Sequence, residues 1–80
     1  MRVETLRLAL SALRDEYSTT VGNAVNAQRD ANAADARGDS ELERTMIGVS
    51  EYWDSRATQT LDAMQELEAA LDETEKEVRE

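Results

Sequence analysis

The chain has 80 residues with no Pro, Cys, His or Phe, only three Gly, and a formal charge of −9 from 18 acidic and nine basic side chains. That length holds one domain, 1–80, and the missing residue types exclude disulfides, zinc sites built on His or Cys, and nucleophile–base pairs built on those residues. The acidic balance disfavours direct nucleic-acid binding and anionic membrane surfaces, which need a basic face, and no apolar run approaches a membrane span.

The first predicted element is a helix from about residue 3 to 36, rich in Ala, Leu, Arg and other strong helix formers. Apolar or small residues recur in steps of three and four at Val3, Leu6, Leu10, Leu13, Tyr17, Thr20, Ala24, Ala27, Ala31 and Ala34. This is a heptad seam, with large residues in its first half and alanines in its second. Leu8, Val21 and Val25 widen the stripe.

The helix ends at Arg37-Gly38-Asp39-Ser40, a predicted turn over 37–40. Gly38 can adopt the left-handed conformation that closes a helix. Ser40 with Glu43 three residues later reads as a capping box that opens the next helix, and Asp39 favours that helix's positive end. The turn accounts for the Arg37-Gly38-Asp39 tripeptide without an adhesion role.

A second helix is predicted from about residue 41 to 78. Its seam reads Leu42, Met46, Val49, Trp53, Ala57, Leu61, Met64, Leu67, Leu71, Thr74 and Val78. The repeated step of four around Trp53, Ala57 and Leu61 reads as a stutter, which unwinds a supercoil locally. Gly22 and Gly48 interrupt the helices, each at about 1 kcal/mol relative to Ala, and close packing or a tolerated weak point is expected at both. The five Ser are read as polar helix or cap positions. Carboxylates on helical spacing make solvated faces, so no catalytic residue, metal or cofactor is expected and the chain is not read as an enzyme.

Two helices of similar length joined by a short turn fold back antiparallel. The fold class is therefore all-α, an antiparallel two-helix hairpin whose facing residues have numbers adding to about 77 when the fold is centred near Gly38. Trp53 then meets Ala24, Met46 meets Ala31, and Tyr17 meets Leu61, so the bulkiest side chain faces small ones. Leu6, Leu10, Leu13, Tyr17, Met46, Val49, Trp53, Leu61, Met64, Leu67 and Leu71 are expected to be the best-buried side chains of the assembly. Both stripes are wider than one helix–helix contact can cover. The hairpin is therefore expected to pair with a second hairpin, as a homodimer or a heterodimer, in a four-helix bundle. Leu8, Val21, Val25, Ile47, Tyr52 and Trp53 are the candidate partner-binding residues, and the first five are expected to form a contiguous patch. Trp53 also serves as a core anchor, and Tyr52 points off its seam.

The stretch Gly38-Asp39-Ser40-Glu41-Leu42, then Tyr52-Trp53, then Leu61, Met64, Leu67 and Leu71 resembles the second half of small helical hairpins of the WXG/ESAT-like superfamily, associated with type VII secretion. The resemblance covers residues 38–78 by motif and residues 3–36 by pattern. Trp53 is followed by Asp54-Ser55, so the W-x-G turn is absent, and Val78 stands where the tail export motif would carry Tyr. The resemblance implies a protein-binding module that acts through dimerisation, located in the cytoplasm or secreted by a route independent of a signal peptide. A second expectation comes from charge. Residues 1–37 carry five acidic and five basic side chains, whereas residues 38–80 carry thirteen acidic and four basic. On that reading the chain is an intracellular or phage-type adaptor or inhibitor whose acidic helix blocks a basic, nucleic-acid-binding surface.

Overall fold

The computed structural model describes residues 2–79, and the side chains of 2–77. It is an all-α hairpin. Helix α1 spans Val3–Ala36 and helix α2 spans Ser40–Arg79, and no strand occurs among the described residues. At a rise of about 1.5 Å per residue, a 40-residue helix is about 60 Å long. The molecule is accordingly a rod of 63 × 14 × 13 Å. The seam place expected for Val78 lies outside the described side chains.

The turn is tighter than a capping box would make it. Gly38 has φ +75°, a conformation that a β-carbon disfavours. Its N–H donates to the Asp35 carbonyl at 3.0 Å, and the Asp39 N–H donates to the Ala34 carbonyl at 2.9 Å. Those two bonds are the Schellman closure of a helix C-terminus. Asp39 then opens α2, because its Oδ1 accepts the Leu42 N–H at 3.1 Å while its own carbonyl accepts the Glu43 N–H at 3.0 Å. Asp39 is therefore the N-cap, and Ser40 is the first residue of α2 rather than its cap. A carboxylate both satisfies an orphan donor and meets the positive end of the helix. One residue thus closes the first helix with its backbone and starts the second with its side chain.

The seam is more regular than the sequence pattern predicts. The seam positions of α1, all buried or half-buried, are Val3, Leu6, Leu10, Leu13, Tyr17, Thr20, Ala24, Ala27, Ala31 and Ala34. Those of α2 are Glu43, Met46, Ser50, Trp53, Ala57, Thr60, Met64, Leu67, Leu71 and Thr74. Both runs alternate three and four without a break, and each position of one has a counterpart in the other such that the two numbers add to 77. The cross-helix pairs 24/50, 7/75, 14/68 and 16/56 bracket that register. The predicted stutter is absent. Ser50 and Thr60 occupy the seam in place of Val49 and Leu61, and Tyr17 lies at the level of Thr60 rather than Leu61. Leu42 is exposed because Glu43 holds the seam position beside it.

The polar seam residues are satisfied. The Thr20 hydroxyl donates to the Tyr17 carbonyl and the Thr60 hydroxyl to the Arg56 carbonyl, each at 2.9 Å within its own helix. The Ser50 hydroxyl donates across the hairpin to the Ala24 carbonyl at 3.4 Å. No buried side-chain polar atom among the described residues lacks a partner, which is what makes such positions tolerable inside a contact.

The best-covered side chains are mostly small. Leu6 and Leu10 are buried, but the others are Thr20, Ala24, Ala27, Ala31, Ala34, Ser50, Ala57 and Thr60. Leu13, Tyr17, Met46, Val49, Trp53, Leu61, Met64, Leu67 and Leu71 are only half-buried in the hairpin. The cause is geometric. One neighbouring helix can cover a methyl group at the contact line, whereas a long side chain reaches past that line toward a flank.

Candidate protein-interaction surface

Two flanks border the seam, and the ion pairs identify them. Arg7 pairs with Glu75 at 2.8 Å and Arg14 with Glu68 at 3.7 Å. These four residues each follow a seam position, so they mark one flank. Heptad spacing continues it through Val21 and Gln28 on α1 and through Leu61, Asp54 and Ile47 on α2. On the opposite flank, Arg56 pairs with Glu16 at 3.3 Å. Both precede seam positions, and the same spacing continues through Ala9, Asn23 and Asp30 on α1 and through Leu42, Val49 and Ala63 on α2. All three pairs are solvent-exposed, so each contributes at most about 1 kcal/mol. Their value is in register, because they hold the helices against sliding from both sides.

Five residues expected to meet a partner, Leu8, Val21, Val25, Ile47 and Tyr52, are exposed, and Trp53 is half-buried. They do not form one contiguous patch. Leu8, 74% exposed, lies on the outer face of α1, directly away from the seam. Val21, Val25 and Ile47 belong to the flank with two ion pairs. There, Val21, Ala24, Val25, Gln28, Ser50 and Asp54 line a shallow open groove. Tyr52 belongs to the other flank, together with Leu42, which the sequence pattern assigned to the seam. Tyr52 and Trp53 form an edge-to-face pair, with ring centroids 5.0 Å apart and planes at 75°. Such a pair contributes about 0.5–1.5 kcal/mol beyond the area it buries. It also fixes the orientation of an aromatic that is 59% exposed.

The flanks differ in charge. Around the groove lie Asp54 and Glu51 of α2, both exposed. On the Tyr52 flank the central charges are Glu16 and Arg56, which pair with one another, and Asp30 nearer the turn. The rest of that central strip is Thr19, Asn23, Asn26, Thr45, Val49 and Gln59 beside the aromatics. This strip was missed because its members are small and uncharged rather than strongly apolar. Its signal in the sequence is the scarcity of charge one place before each seam position between Tyr17 and Thr60.

Among the described residues, no group of three or more Asp, Glu, His or Cys is placed to hold a metal ion. No described helix is long and apolar enough to cross a membrane. Comparison with family models, with curated proteins and with solved structures gives no match to this chain.

Proposed function

We propose that this chain is a non-enzymatic protein-binding module, a helical hairpin that completes its core by packing against a second hairpin. One observation carries the reading. The hairpin exposes 5854 Å², whereas a compact monomer of 8.9 kDa exposes roughly 4,800 Å². The excess, about 1,000 Å², is close to the roughly 800 Å² that each partner buries in a standard protein interface. The surplus surface also has the right composition, since nine large seam and flank residues are half-buried and a second hairpin would finish covering those on the flank it packs against. The radius of gyration points the same way, at 18.0 Å against about 12 Å for a compact chain of this length.

The resemblance to WXG/ESAT-like hairpins over residues 38–78 supports the same module and adds type VII secretion as its proposed setting. A second reading rests on the exposed acids Asp62, Glu66, Asp72, Glu73 and Glu77 of α2. They leave the outer part of the rod available to a basic protein surface in either setting.

Sedimentation equilibrium combined with thermal melts over a hundredfold range of protein concentration tests the pairing. The expected result is a dimer mass and a melting temperature that rises with concentration, because association stabilises by mass action. If the purified chain alone is monomeric, titration with a helical-hairpin protein that co-purifies with it from its native host tests the heterodimer. A well-folded monomer that neither self-associates nor binds that hairpin would overturn the reading.

A further inference from the structure

The flank that carries Tyr52 and Trp53 is the surface on which a second copy of this chain packs; we infer this from charge and shape, on the basis of the pairing proposed above. A chain of charge −9 meets its own copy against a repulsive field. The contact must therefore form where charge is absent or already paired. In a two-fold dimer the same patch lies on both sides of the interface, so residues near the axis face their own counterparts. On the groove flank this would bring Glu51 and Asp54 of one copy toward Glu51 and Asp54 of the other. Like charges placed together across an interface oppose the contact.

The Tyr52 flank avoids this conflict at its centre, because its nearest unpaired acids, Asp30 and Glu66, lie to either side of the middle. Its central ion pair, Glu16 with Arg56 at 3.3 Å, is neutral as a unit and can face its own copy without repulsion. Around it lie Asn23, Val49 and the Tyr52–Trp53 pair. Trp53 is half-buried along the hairpin seam, and the Tyr52 ring, 59% exposed, is held edge-to-face against it. A large aromatic that is already oriented loses little freedom on binding, and Tyr, Trp and Arg are the residues enriched at interface centres. Tyr52 and Arg56 also lie in the central part of the 63 Å rod. A two-fold axis there lets two rods overlap along most of their length, with their turns at opposite ends. That overlap can supply the roughly 800 Å² per copy that a stable dimer needs.

The test compares two substitutions with the same change in charge, Tyr52→Glu and Val25→Glu. Both parent residues are more than half exposed in the hairpin, at 59% and 52%, so both variants should retain wild-type helicity by circular dichroism. Sedimentation equilibrium of the full chain then reads the self-association constant. Tyr52→Glu should weaken it by at least about tenfold, a change of about 1.4 kcal/mol, and Val25→Glu should leave it within about threefold of wild type. If Val25→Glu dissociates the dimer and Tyr52→Glu does not, pairing stands and the assigned face is wrong. Equal weakening by both, or by neither, would also overturn the face. A wild-type chain that shows no self-association would remove the homodimer and this inference together.

Discussion

Replacing Gly22 and Gly48 by Ala together should stabilise the protein, and the structure sets the size of the gain. Both glycines lie in unbroken helix, and neither has positive φ. A β-carbon built at either position meets nothing within 4 Å. The close packing considered for them from sequence is therefore absent, because both face outward. Each substitution removes the extra freedom that glycine has in the unfolded chain, worth about 0.5–1 kcal/mol in a helix interior. The two sites share no neighbours, so the effects should add to about 1–2 kcal/mol. For a domain of this size that raises the melting temperature by roughly 4–16 °C. Thermal melts of wild type, both single variants and the double variant, at one fixed protein concentration, check it. No gain, or a loss, would refute the reasoning. A loss would mean that something in the assembly packs on these outer faces and needs them bare.

The remaining predictions concern the turn and the aromatic pair. Gly38→Ala should destabilise by about 1–2 kcal/mol, since it forces a β-carbon into the left-handed conformation; urea unfolding measures it, and an unchanged midpoint would show that the turn relaxes freely. Asp39→Ala should lose about 1 kcal/mol with the N-cap, whereas Ser40→Ala should be nearly neutral; the reverse order in chemical denaturation would restore Ser40 as the cap. Trp53→Ala should lose about 1–2.5 kcal/mol in dilute protein, where Trp53 is half-buried, and about 3–5 kcal/mol at concentrations where a partner completes its burial. Denaturation curves at the two extremes of concentration separate these cases, and an equal loss at both would show that no partner covers it.

Much of the fold was legible because the chain punctuates itself only once. With no Pro and few Gly, the heptad of α1 could be read unbroken from Val3 to Ala34, and Gly38-Asp39 marked the single reversal. The bounds of α1 and the sum of 77 both follow from those signals. The seam of α2 was harder to read because hydropathy is a poor guide where helices approach closely. At the level of Ala24 and Ala27 the contact line has room for a small side chain, and a serine hydroxyl fits once it reaches the Ala24 carbonyl. Reading Ser50 as polar and Leu61 in preference to Thr60 shifts the apparent seam to Val49 and Leu61, one residue to either side, and creates a stutter that the helix does not have. The cap was misread for a related reason. Asp39 and Ser40 are both good N-caps, and the choice depended on which backbone N–H lay free after Gly38 turned the chain.

The candidate surface was legible in composition but not in arrangement. The sequence shows more apolar residues than one contact can cover, but a list of exposed residues carries no information about which of them share a flank. That emerges only when the ion pairs fix which edge of α1 faces which edge of α2. The same geometry links stability to association. Near the open end, Leu6 and Leu10 are buried by the hairpin alone, at about 1.5–3 kcal/mol for each leucine fully buried. Toward the turn, α1 offers only alanine methyls, and the large residues opposite, Met46 and Trp53, extend past them toward solvent. The part of the hairpin whose contact line buries only small side chains is thus the part whose aromatics are most available to a second chain. Filling the alanine half of α1 with leucines would improve the monomer only by pushing α2 away, which would disturb the surface that Tyr52 and Trp53 now present.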